Sequence, residues 1–160
     1  MVTGNMGSKH HMNYTMMGDV VNIAARLESA AKQYGIYFHT TEETLFSANS
    51  NQDYYYWRYI DRVQFVGKTV WHQTVEILGF KKDEDDRIKK LSSLFNKALE
   101  EYYNQNWDKA IELFKKSNKY ETYKRDEDIN PSKIFIERAY EFKRYPPRSN
   151  WRGAFILVNK

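Results

Sequence analysis

The 160-residue sequence has no cysteine. This excludes a disulfide framework and any cysteine-based zinc site. It agrees with a reducing compartment, so a cytoplasmic setting is expected. No apolar run approaches the roughly 18–20 residues of a membrane span, and no signal peptide is legible; any anchor would lie upstream. No basic run is interleaved with aromatics and the net charge is only +4, so nucleic acid is not an expected partner. A glycine-rich phosphate loop and a Ser/His/Asp nucleophile set are also missing. His10, His11, His39 and His72 lack the spacing of metal ligands, and His10-His11 suits an exposed loop between two strands.

What is present is a core. Hydrophobic residues make up 41% of the chain and aromatics 16%, with 13 tyrosines, beside 29% charged residues. That balance fits a soluble globular chain of one domain or two small ones. Met1-Val2-Thr3-Gly4 reads as a strand entered partway, so a fragment is expected.

Two units are expected, residues 1–80 and 81–160, divided at the charged stretch Lys81-Lys82-Asp83-Glu84-Asp85-Asp86-Arg87. In the first, Asn13–Met17 is extended and Gly18 ends it. Asp19 then caps a helix whose buried stripe is Val20, Ile23, Ala24, Leu27, Ala30 and Ala31, with Gly35 as the stop. Ile36–Thr40 is strand-like, and Thr40-Thr41-Glu42-Glu43 can form a capping box. Trp57, Tyr59, Val63 and Phe65 alternate with Arg58, Arg62 and Gln64 as in a half-buried strand, and Val70–Leu78 returns. This order predicts an α+β sheet with helices on one face.

The second unit is helical. Ile88, Leu91, Leu94, Phe95, Ala98, Leu99 and Tyr102 form one stripe, and Asn104-Gln105-Asn106 breaks it. Trp107, Ala110, Ile111 and Phe114 form a second stripe, giving a helical hairpin. Asn130-Pro131-Ser132 opens a third helix bearing Phe135, Ala139 and Phe142, and Pro146-Pro147 ends it. Trp151–Val158 is extended and folds back on the helices. Ala98, Trp107, Ala110 and Phe114 match the packing positions of one tetratricopeptide-like unit.

The chemistry-bearing stretch runs from Gly4-Asn5-Met6-Gly7-Ser8 through Asn13-Tyr14-Thr15-Met16-Met17-Gly18-Asp19-Val20-Val21-Asn22-Ile23-Ala24-Ala25-Arg26-Leu27-Glu28. Asn22 and Arg26, four apart, share one helix face away from the apolar stripe. An amide and a guanidinium near the positive end of a helix suit a phosphate and a ribose hydroxyl. The same spacing equally describes a solvated Asn and a surface Arg, and Thr15 equally describes an ordinary strand residue.

The whole string resembles the class III nucleotidyl cyclases, whose bacterial-type members carry Gly-Asn-x-Gly-Ser followed by Tyr-Thr-x-x-Gly-Asp-x-Val-Asn-x-Ala-x-Arg-Leu-Glu. The match is nearly gapless from Gly4 to Gly35 and looser through Asp61-Arg62-Val63 and Gly67-Lys68 to about Leu78. The resemblance implies a partial ferredoxin-like catalytic domain, followed by a small helical tail. It implies conversion of ATP to cyclic AMP and pyrophosphate at a dimer interface, with two Mg or Mn ions held by aspartates outside this chain. Asn22 would orient the ribose and Arg26 would stabilise charge on the reacting phosphate. Thr15 would read the purine edge, favouring ATP over GTP. Lys68 would reach the terminal phosphates, because Val66 stands where the family has the first lysine of Lys-Gly-Lys. Asp19 is a cap by position, not a metal ligand. A homodimer or swapped oligomer is expected.

Some bacterial-type members also carry a tail ending in Pro-Pro and Trp-x-Gly, as Pro146-Pro147 and Trp151-Arg152-Gly153 do here. Two readings of the tail stand: a packing cap on the cyclase sheet, or a partner-binding hairpin. A non-catalytic cyclase-like interaction module is the alternative for the whole chain, and Val66 favours it.

Overall fold

The computed structural model describes residues 1–8, 11–48, 54–65, 69–121, 128–148 and 150–157. Two strands, β1 (Val2–Ser8) and β2 (His11–Met17), pair antiparallel as a separate two-stranded sheet. Helix α1 (Asp19–Tyr34), β3 (His39–Thr41), α2 (Glu42–Ala48), β4 (Tyr55–Phe65) and β5 (Trp71–Phe80) follow. A short 3-10 turn (Lys81–Asp83) leads to α3 (Asp86–Tyr103), α4 (Trp107–Asn118), α5 (Pro131–Arg144) and β6 (Ala154–Leu157). The main sheet has the order β3-β5-β4-β6, antiparallel except where β6 runs parallel to β4. The fold is α+β.

The helical segments follow their stripes. Ile88, Leu91, Phe95, Ala98, Leu99 and Tyr102 of α3 are buried, as are Ala110, Ile111 and Phe114 of α4 and Phe135 and Ala139 of α5. Phe95, Phe114 and Phe135 meet with ring centroids 5.2–5.8 Å apart. Each fully buried phenylalanine contributes about 1.5–3 kcal/mol of burial energy. Asp85 caps α3 by accepting from the amides of Arg87 and Ile88, and Asn130 caps α5 by accepting from Lys133, with Pro131 in its first turn. Thr41 caps α2, its hydroxyl accepting from Thr44 N at 3.2 Å.

Four expectations are corrected. Gly18, not Asp19, is the N-cap of α1, and no side chain caps it. In the expected stripe of α1, Leu27, Ala30 and Ala31 are buried and Ile23 packs half-buried against the core, but Val20 is 64% exposed and Ala24 is exposed.

In β4 the buried set is Arg58, Ile60, Asp61 and Val63, while Trp57 and Tyr59 are half-buried. A bulge between Tyr59 and Arg62 inserts one residue against β5, so consecutive Ile60 and Asp61 are both buried and the side-chain alternation changes phase. Helices also cover both faces. Trp57 and Arg58, neighbours on one strand, point to opposite faces; Trp57 meets Phe46 of α2 and Arg58 lies over Phe95 of α3.

The C-terminal extended segment divides its contacts. Trp151 packs among Tyr102, Trp107 and Phe142, and β6 joins the sheet with Arg62 opposite Ala154. One hydrophobic cluster accordingly includes Leu27, Ala31 and Tyr34 of α1, Ile60 and Val63 of β4, and Phe95, Phe114 and Phe135 of the three later helices.

Candidate functional site

The sequence places a strand, a glycine and a helix in immediate succession, and the chain folds that way. Thr15 lies on β2 opposite Gly4. Two residues later Gly18 adopts φ 138° and ψ 162°, a backbone region open essentially only to glycine. That conformation turns the strand directly into α1. The Gly18 carbonyl accepts from the amides of Val21 at 3.1 Å and Asn22 at 3.4 Å. Asn22 and Arg26 follow on one side of the helix, one turn apart. Thr15 and Asn22 are exposed and Arg26 is half-buried. Thr15 thus lies on the strand that precedes the Gly18 turn, and Asn22 and Arg26 on the helix that follows it. Lys68 lies outside the described residues, as do Val66, Gly67 and His10.

The surface around this segment is apolar. Val2, Tyr14, Met16, Met17 and Val20 are 52–75% exposed. Among the described residues, no cluster of three or more His, Asp or Glu could hold a metal ion.

Far from its exposed start, α1 ends in a buried polar cluster. The Tyr34 hydroxyl donates to Asp61 Oδ2 at 2.6 Å, and Arg138 Nη1 donates to the same oxygen at 2.5 Å. Burial pushes the Asp61 carboxyl above its usual range, although Arg138 and Tyr34 act in the opposite direction. Burial, then the neighbouring Asp61 carboxylate, pushes the Tyr34 phenol well up. Gly35, in the left-handed conformation that closes α1, lies against the backbone of Ile129. The helix carrying Asn22 and Arg26 is thereby tied to the segment that opens α5.

A second buried cluster joins sheet and tail. Arg58 donates through Nε to Glu76 at 2.8 Å and through both terminal nitrogens to Glu121 at 2.8 and 2.9 Å. Ser132 adds a hydroxyl bond to Glu121 at 2.7 Å. Burial pushes the Glu76 carboxyl up; burial acts likewise on Glu121, but Arg58 and Ser132 outweigh it and hold that carboxyl down. Neither cluster stands out from sequence. A charged residue in an alternating strand reads as solvent-facing, and the one available signal is charge recurring on both faces of β4.

No family model matches the chain, and no solved structure matches it. Two curated relatives do. The chain is 25% identical over 142 residues to "Adenylate cyclase, terminal-differentiation specific" of Dictyostelium discoideum, covering 88% of this chain and 6% of that protein. It is 53% identical over 34 residues to "Adenylate cyclase 1" of Rhizobium meliloti (strain 1021), covering 21% of this chain and 5% of that protein. The chain thus spans only a small fraction of either relative's length. These similarities support a cyclase-like relationship. No helix among the described residues is long and apolar enough to cross a membrane.

Proposed function

We propose that this chain carries the C-terminal part of a class III adenylate cyclase catalytic domain, of partial ferredoxin-like fold, with a tetratricopeptide-like helical tail. The observation that carries the reading is the segment from Gly4 to Arg26, in which an antiparallel hairpin passes through Gly18 into a helix presenting Asn22 and Arg26 one turn apart. The similarity to two proteins named adenylate cyclase supports it.

In this reading the substrate is ATP rather than GTP. Thr15 contacts the purine edge, its hydroxyl able to donate or accept. The Asn22 amide holds the ribose. Arg26 stabilises negative charge developing on the α-phosphate as the 3′-hydroxyl attacks and pyrophosphate leaves; a planar, permanently charged donor suits that role. Lys68 reaches the terminal phosphates. Aspartates outside this chain would hold two Mg or Mn ions, which would supply the charge that activates the hydroxyl and neutralises the phosphates. The setting is cytoplasmic, and the chain alone is inactive.

The working unit is a homodimer or swapped oligomer. The exposed apolar side chains of β1, β2 and the start of α1 support this, because an isolated two-stranded sheet is marginally stable and its edges invite pairing. Light scattering that finds a monomer at all concentrations contradicts it. Val66 in place of a family lysine favours the second reading, a non-catalytic interaction module. The deciding experiment is nucleotide turnover by the full-length protein with manganese. Cyclic AMP from ATP, with little cyclic GMP from GTP, supports the first reading; no cyclic product from folded, metal-loaded protein supports the second.

A further inference from the structure

Helix α1 is buried unevenly along its length. In the half before Leu27, Val20, Asn22, Ala24 and Ala25 are exposed; from Leu27 onward, Leu27, Ala30, Ala31 and Tyr34 are buried. An α-helix is a rod hydrogen-bonded along its axis, so its exposed half follows the setting of its buried half. Arg26 sits at the boundary between the two. It lies two turns before Tyr34, roughly 12 Å along the axis.

Three polar or backbone contacts set the buried half. His39 Nδ1 of β3 donates to the Leu27 carbonyl at 3.1 Å, one residue from Arg26. Gly35, at φ 67°, lies so close to Ile129 that a Cβ there would meet the Ile129 carbonyl oxygen at 2.3 Å. Tyr34 and Arg138 donate to one oxygen of Asp61. Ile129 and Arg138 both belong to the tail, so two of the three contacts depend on it. Arg138 is itself gripped from several sides. Its guanidinium carbon lies 3.7 Å from the ring centroid of Phe155 on β6, 5.2 Å from that of Phe135 on α5 and 5.5 Å from that of Tyr34 on α1. A planar, permanently charged fork held this way fixes the direction of each bond it makes.

We propose that Arg138 is a positioning residue for Arg26: through Asp61 and Tyr34 it fixes the axial setting of α1, and the helical tail thereby governs the transition-state donor of the nucleotide site. The proposal rests on the cyclase reading and adds a role for the tail, which that reading leaves without one. Arg138 touches no reacting atom and acts through the helix. Breaking the clamp lets α1 slide or turn by a fraction of a residue. A misplacement on the order of 1 Å at a reacting centre costs about 100-fold in rate, so a small shift of Arg26 is enough to be seen in turnover.

The test measures kcat and KM for ATP with manganese in the full-length protein, well below the lowest melting temperature of the set. Arg138→Met lowers kcat about tenfold or more and leaves KM within about twofold, the pattern of an interaction made in the transition state. Arg138→Lys keeps the cation and recovers most of the loss. Tyr34→Phe removes only the hydroxyl that joins α1 to Asp61; it lowers kcat severalfold and is the decisive variant should Arg138→Met not fold. Arg58→Met, whose partners Glu76, Glu121 and Phe95 lie outside α1, is the control for lost stability and keeps the parent kcat. In an Arg26→Ala background Arg138→Met lowers kcat by no more than about twofold, because the group it positions is gone. Product from the parent with unchanged kcat in the folded Arg138 and Tyr34 variants, an equal loss in Arg58→Met, or full additivity with Arg26→Ala overturns the positioning role and leaves the cyclase reading standing. No product from a folded, metal-loaded parent overturns the cyclase reading and this proposal with it.

Discussion

Tyr34, the last residue of α1, and Arg138, in the middle of α5, donate to the same oxygen of Asp61. Residues 104 positions apart are thereby joined through one buried carboxylate on β4. The arrangement ties the helix of the candidate site to the tail. Arg138 is further held over the Phe155 ring of β6, 3.7 Å from its centroid.

Removing parts of this cluster has graded effects. Arg138→Met leaves the Asp61 carboxyl buried without its cation, and is expected to cost about 3–5 kcal/mol, the scale of a broken buried ion pair. Tyr34→Phe removes one hydrogen bond to a charged acceptor and is expected to cost about 1.5–3 kcal/mol. Urea denaturation midpoints check both. Equal costs, or a cost for Arg138→Met within the range of a surface substitution, contradict the role assigned to Asp61.

The Arg58 cluster makes a different prediction, because it holds one cation between two carboxylates. Arg58→Met leaves Glu76 and Glu121 facing each other in the core and is expected to cost about 3–5 kcal/mol. Adding Glu76→Gln and Glu121→Gln removes both stranded charges. The triple variant is therefore expected to be more stable than Arg58→Met alone. A triple variant that is less stable would show that the charges are not what destabilises the single one.

His39 supplies the pH dependence. Its Nδ1 donates to the Leu27 carbonyl at 3.1 Å, while Nε2 is buried without a partner. Burial lowers its pKa to about 4, against a smaller upward pull from Leu27. The unfolded chain, with a histidine near pKa 6.5, then binds more protons than the folded chain between about pH 6.5 and pH 4. This contribution to stability is present above the unfolded pKa and is lost as pH falls through that window. From pH 7 to pH 5 the loss is expected to reach up to about 2 kcal/mol. Chemical denaturation at the two pH values, beside His39→Gln, checks it; the variant should show a smaller drop.

The sequence carried the later helices well because their burial repeats at helical spacing: Leu91, Phe95, Ala98 and Tyr102 in α3, and Ala110 and Phe114 in α4. The candidate segment was legible for a related reason. Gly18 and Gly35 mark the ends of α1, and both bear the backbone conformations those ends require. What was hidden depends on distant partners. The pairing of Arg62 with Ala154 bridges 92 positions, and no local periodicity reports it. The bulge at Ile60 and Asp61 changes which residues face inward, and Arg58 is buried only because Glu76 and Glu121 neutralise it. The exposure of Val20 was equally hidden, since an apolar residue at helical spacing reads as core whether or not anything covers it.

The most direct test of the proposed activity is cyclic AMP production from ATP and manganese by the full-length protein and by its Arg26→Ala variant. Arg26 is half-buried, so melting temperatures are compared first and turnover is compared between folded proteins. The account predicts product from the parent and a fall of about 100-fold or more in the variant, the scale expected for loss of one transition-state donor. Equal turnover by the two proteins would contradict the role of Arg26, and absence of product from a folded, metal-loaded parent would contradict the cyclase reading itself.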